Sequence, residues 1–146
     1  MFFPENMALN KVVEMSSRHT NFYGSHCTDG IYGKDSASKF CHTGGSVSSE
    51  WIRIDLGSRK IVTFLIIHNR FTENLDVLGR LSQIDINVFN NRDTKDNHRL
   101  CAHIGDTTAK VHFARCTKPL LARYVEMVQL NIGQVRAMNI AEIMVY

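Results

Sequence analysis

The sequence predicts an all-β domain, an antiparallel β-sandwich, and three observations carry that expectation. Short runs rich in β-branched residues alternate apolar and polar positions, the period of a strand with one buried face. Polar loops rich in Gly, Asn, Asp and Ser join them, and only two prolines, Pro4 and Pro119, occur. No stretch offers an amphipathic helix of three or more turns. At 146 residues the chain fits one domain able to bury a real core.

Trp51-Ile52-Arg53-Ile54-Asp55-Leu56 sets Ile52, Ile54 and Leu56 on one side and Arg53 and Asp55 on the other, and Gly57 closes it. Residues 61–68 form a continuous apolar run, the pattern of a strand buried on both faces. Ile84-Asp85-Ile86-Asn87-Val88-Phe89 alternates again and runs into an Asn90-Asn91 turn. Residues 110–113 make a short strand before Cys116, and residues 123–130 and 140–146 complete the set. Residues 16–33 and 36–49 have no strand period. They are rich in Ser, His, Gly and Asp, and loops of that length inside a domain carry function or are tied down.

Composition excludes several partners. The formal net charge is +3 and the basic residues are scattered, so the concentrated basic face that nucleic acid requires is missing. No apolar run reaches the roughly 18 to 20 residues of a membrane span, and membrane insertion is not expected. Met1-Phe2-Phe3-Pro4-Glu5 lacks the basic and apolar regions of a signal peptide, which leaves a cytosolic chain or a mature domain cut from something longer. Four cysteines, Cys27, Cys41, Cys101 and Cys116, permit three connectivities. The sequence-local one, Cys27–Cys41 with Cys101–Cys116, closes two short loops, and four buried free thiols are the alternative. No Cys-x-x-Cys, nucleophile elbow, Ser/His/Asp motif or phosphate-cradling Gly loop occurs, so an enzyme is not expected.

Read in order, a set of landmarks resembles one family. Met7-Ala8-Leu9-Asn10-Lys11, the paired Ser16-Ser17, Cys27-Thr28-Asp29-Gly30, Cys41-His42-Thr43 and Trp51-Ile52-Arg53-Ile54-Asp55-Leu56-Gly57 are followed by His68-Asn69-Arg70, Arg80-Leu81, Arg123-Tyr124-Val125 and Glu142-Ile143-Met144-Val145-Tyr146. Their sequence and order are similar to the F-type lectin (fucolectin) domains, relatives of the discoidin and coagulation-factor C-type domains. The resemblance implies a jelly-roll-like sandwich of the discoidin or galactose-binding kind over residues 6–146. Residues 1–5 are then a leader or appended segment.

Family members bind terminal fucose with one His and two Arg, and the resemblance assigns those roles to His42, Arg70 and Arg80. Arg supplies several fixed N–H donors to sugar oxygens, and an imidazole nitrogen donates to or accepts from a hydroxyl. An apolar wall would cover the deoxy-sugar's methyl group. Phe71, Tyr23, Phe22 and Phe40 are available for it, Phe71 and Tyr23 foremost. The plainer readings are an ordinary loop histidine, a strand-ending ion pair for Arg70, and an Arg80 that merely flanks Leu81. The other histidines, His19 and His68 among them, show no metal-ligand spacing.

The resemblance also implies a calcium ion bracing the loops. Asp29 and Glu142 are the matching carboxylates, with carbonyls of the loop from His26 through Ile31 to Lys39, and of Ala141, supplying the rest. Cys101–Cys116 resembles one family disulfide. Cys27–Cys41 would replace the family's long-range tie, since the matching C-terminal position is Ala141. The implied protein is a secreted or extracellular glycan-binding module, with room for a homo-oligomer or a larger multidomain parent. The segment from Arg70 to Arg80 departs from the family: it is longer and has neither adjacent cysteines nor Asp at the usual offset. That departure grounds a second reading, a discoidin-like sandwich whose loops, through Phe71, Leu75, Val77 and Leu78, bind a protein or membrane surface.

Overall fold

A computed structural model describes residues 4–33, 39–45, 47, 49–130 and 136–146. Among them are seven strands: β1 (Val12–Met15), β2 (Cys41–His42), β3 (Trp51–Asn69), β4 (Ile84–Phe89), β5 (Arg99–Ile104), β6 (Val111–Gln129) and β7 (Asn139–Val145). One four-residue helix, α1 (Leu75–Leu78), and two 3-10 turns, Gly24–Cys27 and Gly79–Leu81, lie in the connections. All pairings are antiparallel, in the order β2-β7-β3-β6-β4-β5 with β1 on β3.

β3 and β6 are each 19 residues long. Extended, such a strand reaches roughly 60 Å, more than a domain of this size is wide, so the ribbon has to bend. It does so where the β3–β6 register shifts, between Asp55 and Lys60 and again between Val62 and Phe64. Gly57 supplies the left-handed backbone at the first break, with φ +87°. The breaks divide the network into two layers that share β3 and β6. The layer built on residues 51–55 of β3 carries β1, β4 and β5, and the layer built on residues 60–69 carries β7 and β2. The two strands expected at residues 51–56 and 61–68 are thus one bent strand, and so are those at 110–113 and 123–130.

The inner faces meet in a single core. Ile54 pairs with Val125, Ile52 with Met127, and Ile86 with Met127 in one layer. In the other, Leu65 pairs with Ala114 and Val145, and Ile67 with Ile143. All belong to one buried cluster. Arg53 alternates outward as its sequence position requires, yet it is only 8% exposed. It pairs with Glu126 directly across the strands, with Nε 2.7 Å from Oε2, and lies over the Trp51 ring.

Both disulfides of the sequence-local pairing are formed, Cys27–Cys41 and Cys101–Cys116. Cys101 is the extra residue of a bulge, since Ile86 pairs with Ala102 and Asn87 with Leu100. Cys116 sits in the stretch of β6 that skips β3 between Arg115 and Leu120, and Pro119 lies in the same stretch. No ladder donor is needed there, which is where a strand tolerates proline.

Candidate functional site

β2 is only two residues long, and its position is fixed from three sides. Cys41 faces the core and pairs with Ile140, while His42 pairs with Asn139 on the outer face. Thr43 extends the pairing: its N–H donates to the Met138 carbonyl at 2.9 Å, and its Oγ1 accepts the Met138 N–H at 2.8 Å. The His19 N–H donates to the His42 carbonyl at 2.9 Å. Below, the paired serines act as a bracket. Ser16 and Ser17 both donate to the buried Glu50 carboxylate, and Ser17 Oγ accepts the Gly44 N–H at 2.7 Å.

The His42 ring is held in one tautomer. Nδ1 lies 2.6 Å from the Thr43 carbonyl, and a carbonyl only accepts, so Nδ1 carries the proton and Nε2 keeps a lone pair. Burial pushes the imidazole below its ordinary value of 6.5, against the Thr43 carbonyl; the nearby charges of His19, Arg80 and Arg70 also push it down. The neutral ring is therefore the resting form, an acceptor within the positive field of Arg80 and Arg70.

Arg70 follows the last residue of β3. Asn69 Oδ1 accepts its N–H at 2.9 Å, while Asn69 Nδ2 donates to Leu78 O at 3.0 Å and Ala109 O at 3.3 Å. One buried amide thus ties the strand end to both neighbouring loops. The Arg70 guanidinium lies 5.0 Å from the Phe40 ring centroid, and its Nε is buried with no partner within the described residues. Arg80 stands on the 3-10 turn that follows α1. Its carbonyl accepts from Gln129 Nε2 at 3.1 Å, and the Arg136 guanidinium donates to the Gly79 and Ser82 carbonyls. Although longer than the family's segment, the 70–80 connection is thus braced at both ends and inside, where Asn74 Oδ1 caps α1 by accepting from Asp76 and Val77 N–H.

The aromatic candidates separate. Phe40 shares the outer face with His42 two residues on, with ring centroids 6.0 Å apart, and Phe22 packs between them at 4.6 Å from Phe40 and 5.9 Å from His42. Tyr23 lies instead under Arg18 and against His26, and Phe71 beside Lys110 in a neighbouring cleft. Two further residues of the cluster escaped the sequence reading. The His19 ring sits 4.7 Å from that of His42. Asn139 is fully buried beside His42, both its side-chain polar atoms without a partner within the described residues. No residue pattern marks either one, because cross-strand register and a loop return bring them there.

Of the candidate metal residues, Glu142 meets the turn that follows Asp29. The Gly30 N–H donates to Glu142 Oε2 at 2.6 Å, and the Ile31 N–H to Asp29 Oδ1 at 3.0 Å. Glu142 is fully buried on β7. A bulge at Ala141 lets Ile140 and Ile143 both face the core and turns Glu142 outward, opposite His68. His26 is half-buried on its 3-10 turn, while Ile31 and Lys39 are exposed, and residues 34–38 of the same loop lie outside the described residues. Among the described residues no three His, Cys, Asp or Glu side chains stand together as a metal cage. Asp29 and Glu142 offer carboxylate oxygens, the ligand type that suits calcium and not a transition metal.

With this geometry in view, known proteins give a consistent comparison. Residues 26–127 match the sequence profile of the NedA-like, galactose-binding domain family. No curated protein matches the sequence significantly. A fucose binding module of Streptococcus pneumoniae superposes with a TM-score of 0.80 at 26% identity, over 98% of each chain. The lectin domain of lectinolysin, solved with Lewis b antigen, gives 0.80 at 23% identity over 97% of this chain and 96% of that one. An F-lectin (fucolectin) from striped bass (Morone saxatilis) serum gives 0.84 at 23% identity, over 99% of this chain and 49% of that one.

Proposed function

The chain belongs to the NedA-like, galactose-binding domain family, and from that premise we propose that it is a non-catalytic lectin module for glycans ending in fucose or a closely related sugar. His42, Arg70 and Arg80 are the binding groups, and Phe22 and Phe40 supply the apolar wall. What supports this reading is the tautomer of His42: Nδ1 donates to the Thr43 carbonyl and leaves Nε2 as an acceptor, with the positive charges of Arg70 and Arg80 near enough to push the imidazole down. A neutral sugar offers hydroxyl donors to the imidazole and oxygen acceptors to the arginines at the same time. An anion would gain from the arginines but would have no proton to give the imidazole.

Calcium belongs to the same proposal. Asp29 and Glu142, with carbonyls from His26, Ile31, Lys39 and Ala141, would hold it, and the ion would supply rigidity to the loop that flanks the sugar site. The two disulfides fit an oxidising, extracellular setting. A glycan array tests the reading: fucosylated glycans are expected to bind wild type and to be lost in both His42→Ala and Arg70→Ala. Binding unchanged in both variants would remove the site.

A further inference from the structure

We propose that the cleft between Tyr32 and Phe71 is a second saccharide subsite, which holds the sugar residue next to the terminal one. It rests on the lectin reading above and extends it beyond the His42 cluster. The cleft encloses about 340 Å³ and is lined by Tyr32, His68, Asn69, Phe71 and Lys110, with Gly33 and Val111 at its edges. That volume falls in the range of small-ligand pockets, roughly 300 to 1,000 Å³.

Two rings face it while remaining open to solvent, Tyr32 at 60% and Phe71 at 54% exposure. Tyr32 is not loose: it stacks on the His68 imidazole, with centroids 4.6 Å apart and planes 17° from parallel. His68 is fixed in turn by its place in β3, between Glu142 and Val111. Phe71 has the Lys110 ammonium 5.7 Å from its ring centroid, and that ammonium is paired with Glu73. The cleft therefore presents preorganised aromatic faces with a few polar groups. A pyranose matches this chemistry, since the C–H groups on its flat face meet the electron-rich ring while its edge hydroxyls reach polar neighbours.

Continuity with the first site decides which sugar would sit there. Asn69 lines the cleft and also accepts the Arg70 N–H, and Phe71 is the next residue in the chain. Both sites therefore draw on one segment, residues 69–71, and on this proposal a glycan held at Arg70 runs on past Phe71. Linked subsites act through effective concentration, so the second contact raises affinity without a new binding event.

The test compares methyl α-L-fucoside with a panel of fucosylated di- to tetrasaccharides, Lewis b among them, by titration calorimetry. Wild type is expected to bind the best oligosaccharide about tenfold more tightly than the monosaccharide. Tyr32→Ala should abolish that ratio and leave the monosaccharide affinity unchanged, while Tyr32→Phe, which keeps the ring, preserves both. Because Tyr32 is exposed, neither variant threatens the fold. Monosaccharide binding with no oligosaccharide advantage, or an advantage that survives Tyr32→Ala, overturns the subsite and leaves the His42 site standing. No monosaccharide binding at all overturns the lectin reading and the subsite with it.

Discussion

The Arg70 guanidinium lies 5.0 Å from the centroid of the Phe40 ring, two residues before His42 on the same face. A planar cation is thereby parked on an aromatic face whose ring centroid is 6.0 Å from that of the imidazole. Lysine has the charge but not the plane or the fork of donors. Arg70→Lys is therefore expected to weaken fucoside binding by about tenfold or more. The fold should hardly change, because one cation–π contact is worth about 0.5 to 1 kcal/mol near a surface. Calorimetry with a thermal melt of the same sample separates the two effects, and a Lys variant with wild-type affinity would show that charge alone suffices.

The His42 tautomer gives a pH signature with a definite sign. Burial and the charges of His19, Arg80 and Arg70 place the folded imidazole below its ordinary 6.5. The unfolded chain therefore takes up the proton first as pH falls. Stability from His42 is fully present above pH 6.5 and is lost on going below it. His68 and His112, both pushed down by burial, add in the same direction. Sugar affinity should likewise be level above pH 6.5 and fall below it, as Nε2 gains a proton and ceases to accept. His42→Gln, whose amide does not titrate, should flatten the affinity profile. A wild-type affinity that rises on acidification would contradict the assigned tautomer.

What the sequence made legible follows from how local each signal is. The alternation at Ile84–Phe89 reads directly because the whole strand is regular, and it appears with the expected bounds. β5 carries no strand signal because the bulge at Cys101 breaks its period, giving buried positions at Cys101 and Ile104 and not at every second residue. β1 is a four-residue strand paired on β3 only, too short to show a period. Two long strands read as four because Gly57 and Pro119 punctuate the sequence at bends that the ladder survives. In the site, His42, Arg70 and Arg80 carry motif signals. His19, Asn139 and Arg136 carry none, since cross-strand register and loop contacts alone set their place. Leu78, offered to a partner surface in the second sequence reading, is 2% exposed: it closes α1 onto the core, which leaves Phe71 and Leu75 as the open apolar positions of that connection.

The two ion pairs on the outer face of β3 should behave differently under mutation. Arg53 and Glu126 are both buried, and Lys95 adds a third charge at 3.1 Å. Arg53→Ala leaves a buried carboxylate short of its main partner, a change that costs about 3 to 5 kcal/mol in such settings. Asp55 with Arg123 is more open, and the pair holds the Asp55 carboxyl below its ordinary 3.8, chiefly through the Arg123 hydrogen bond. Its contribution is present above that value and lost as pH falls through the lower folded one. Asp55→Asn should cost no more than about 1 kcal/mol after solvent screening. Chemical denaturation of both variants at neutral pH checks the ranking, and equal costs would mean that burial does not set the scale here.

The loop that flanks the sugar site is fastened by Cys27–Cys41 at its base and by Gly30 on Glu142 at its tip. On the calcium proposal, the Asp29 and Glu142 carboxylates share one cation. Bound calcium would stabilise the native state by mass action, about 2.7 kcal/mol at an ion concentration one hundred times its Kd. Melting in calcium should then exceed melting in EDTA, and magnesium should not replace calcium, since it prefers a smaller octahedral shell. Glu142→Gln retains an acceptor for the Gly30 N–H and removes the charge, so its melt should no longer respond to calcium. Fucoside affinity should drop in EDTA for wild type, because the ordered loop borders Phe40 and His42. If wild-type melts coincide in calcium and EDTA, the disulfide and hydrogen bonds hold this loop without an ion, and calcium leaves the proposal while the His42 cluster remains.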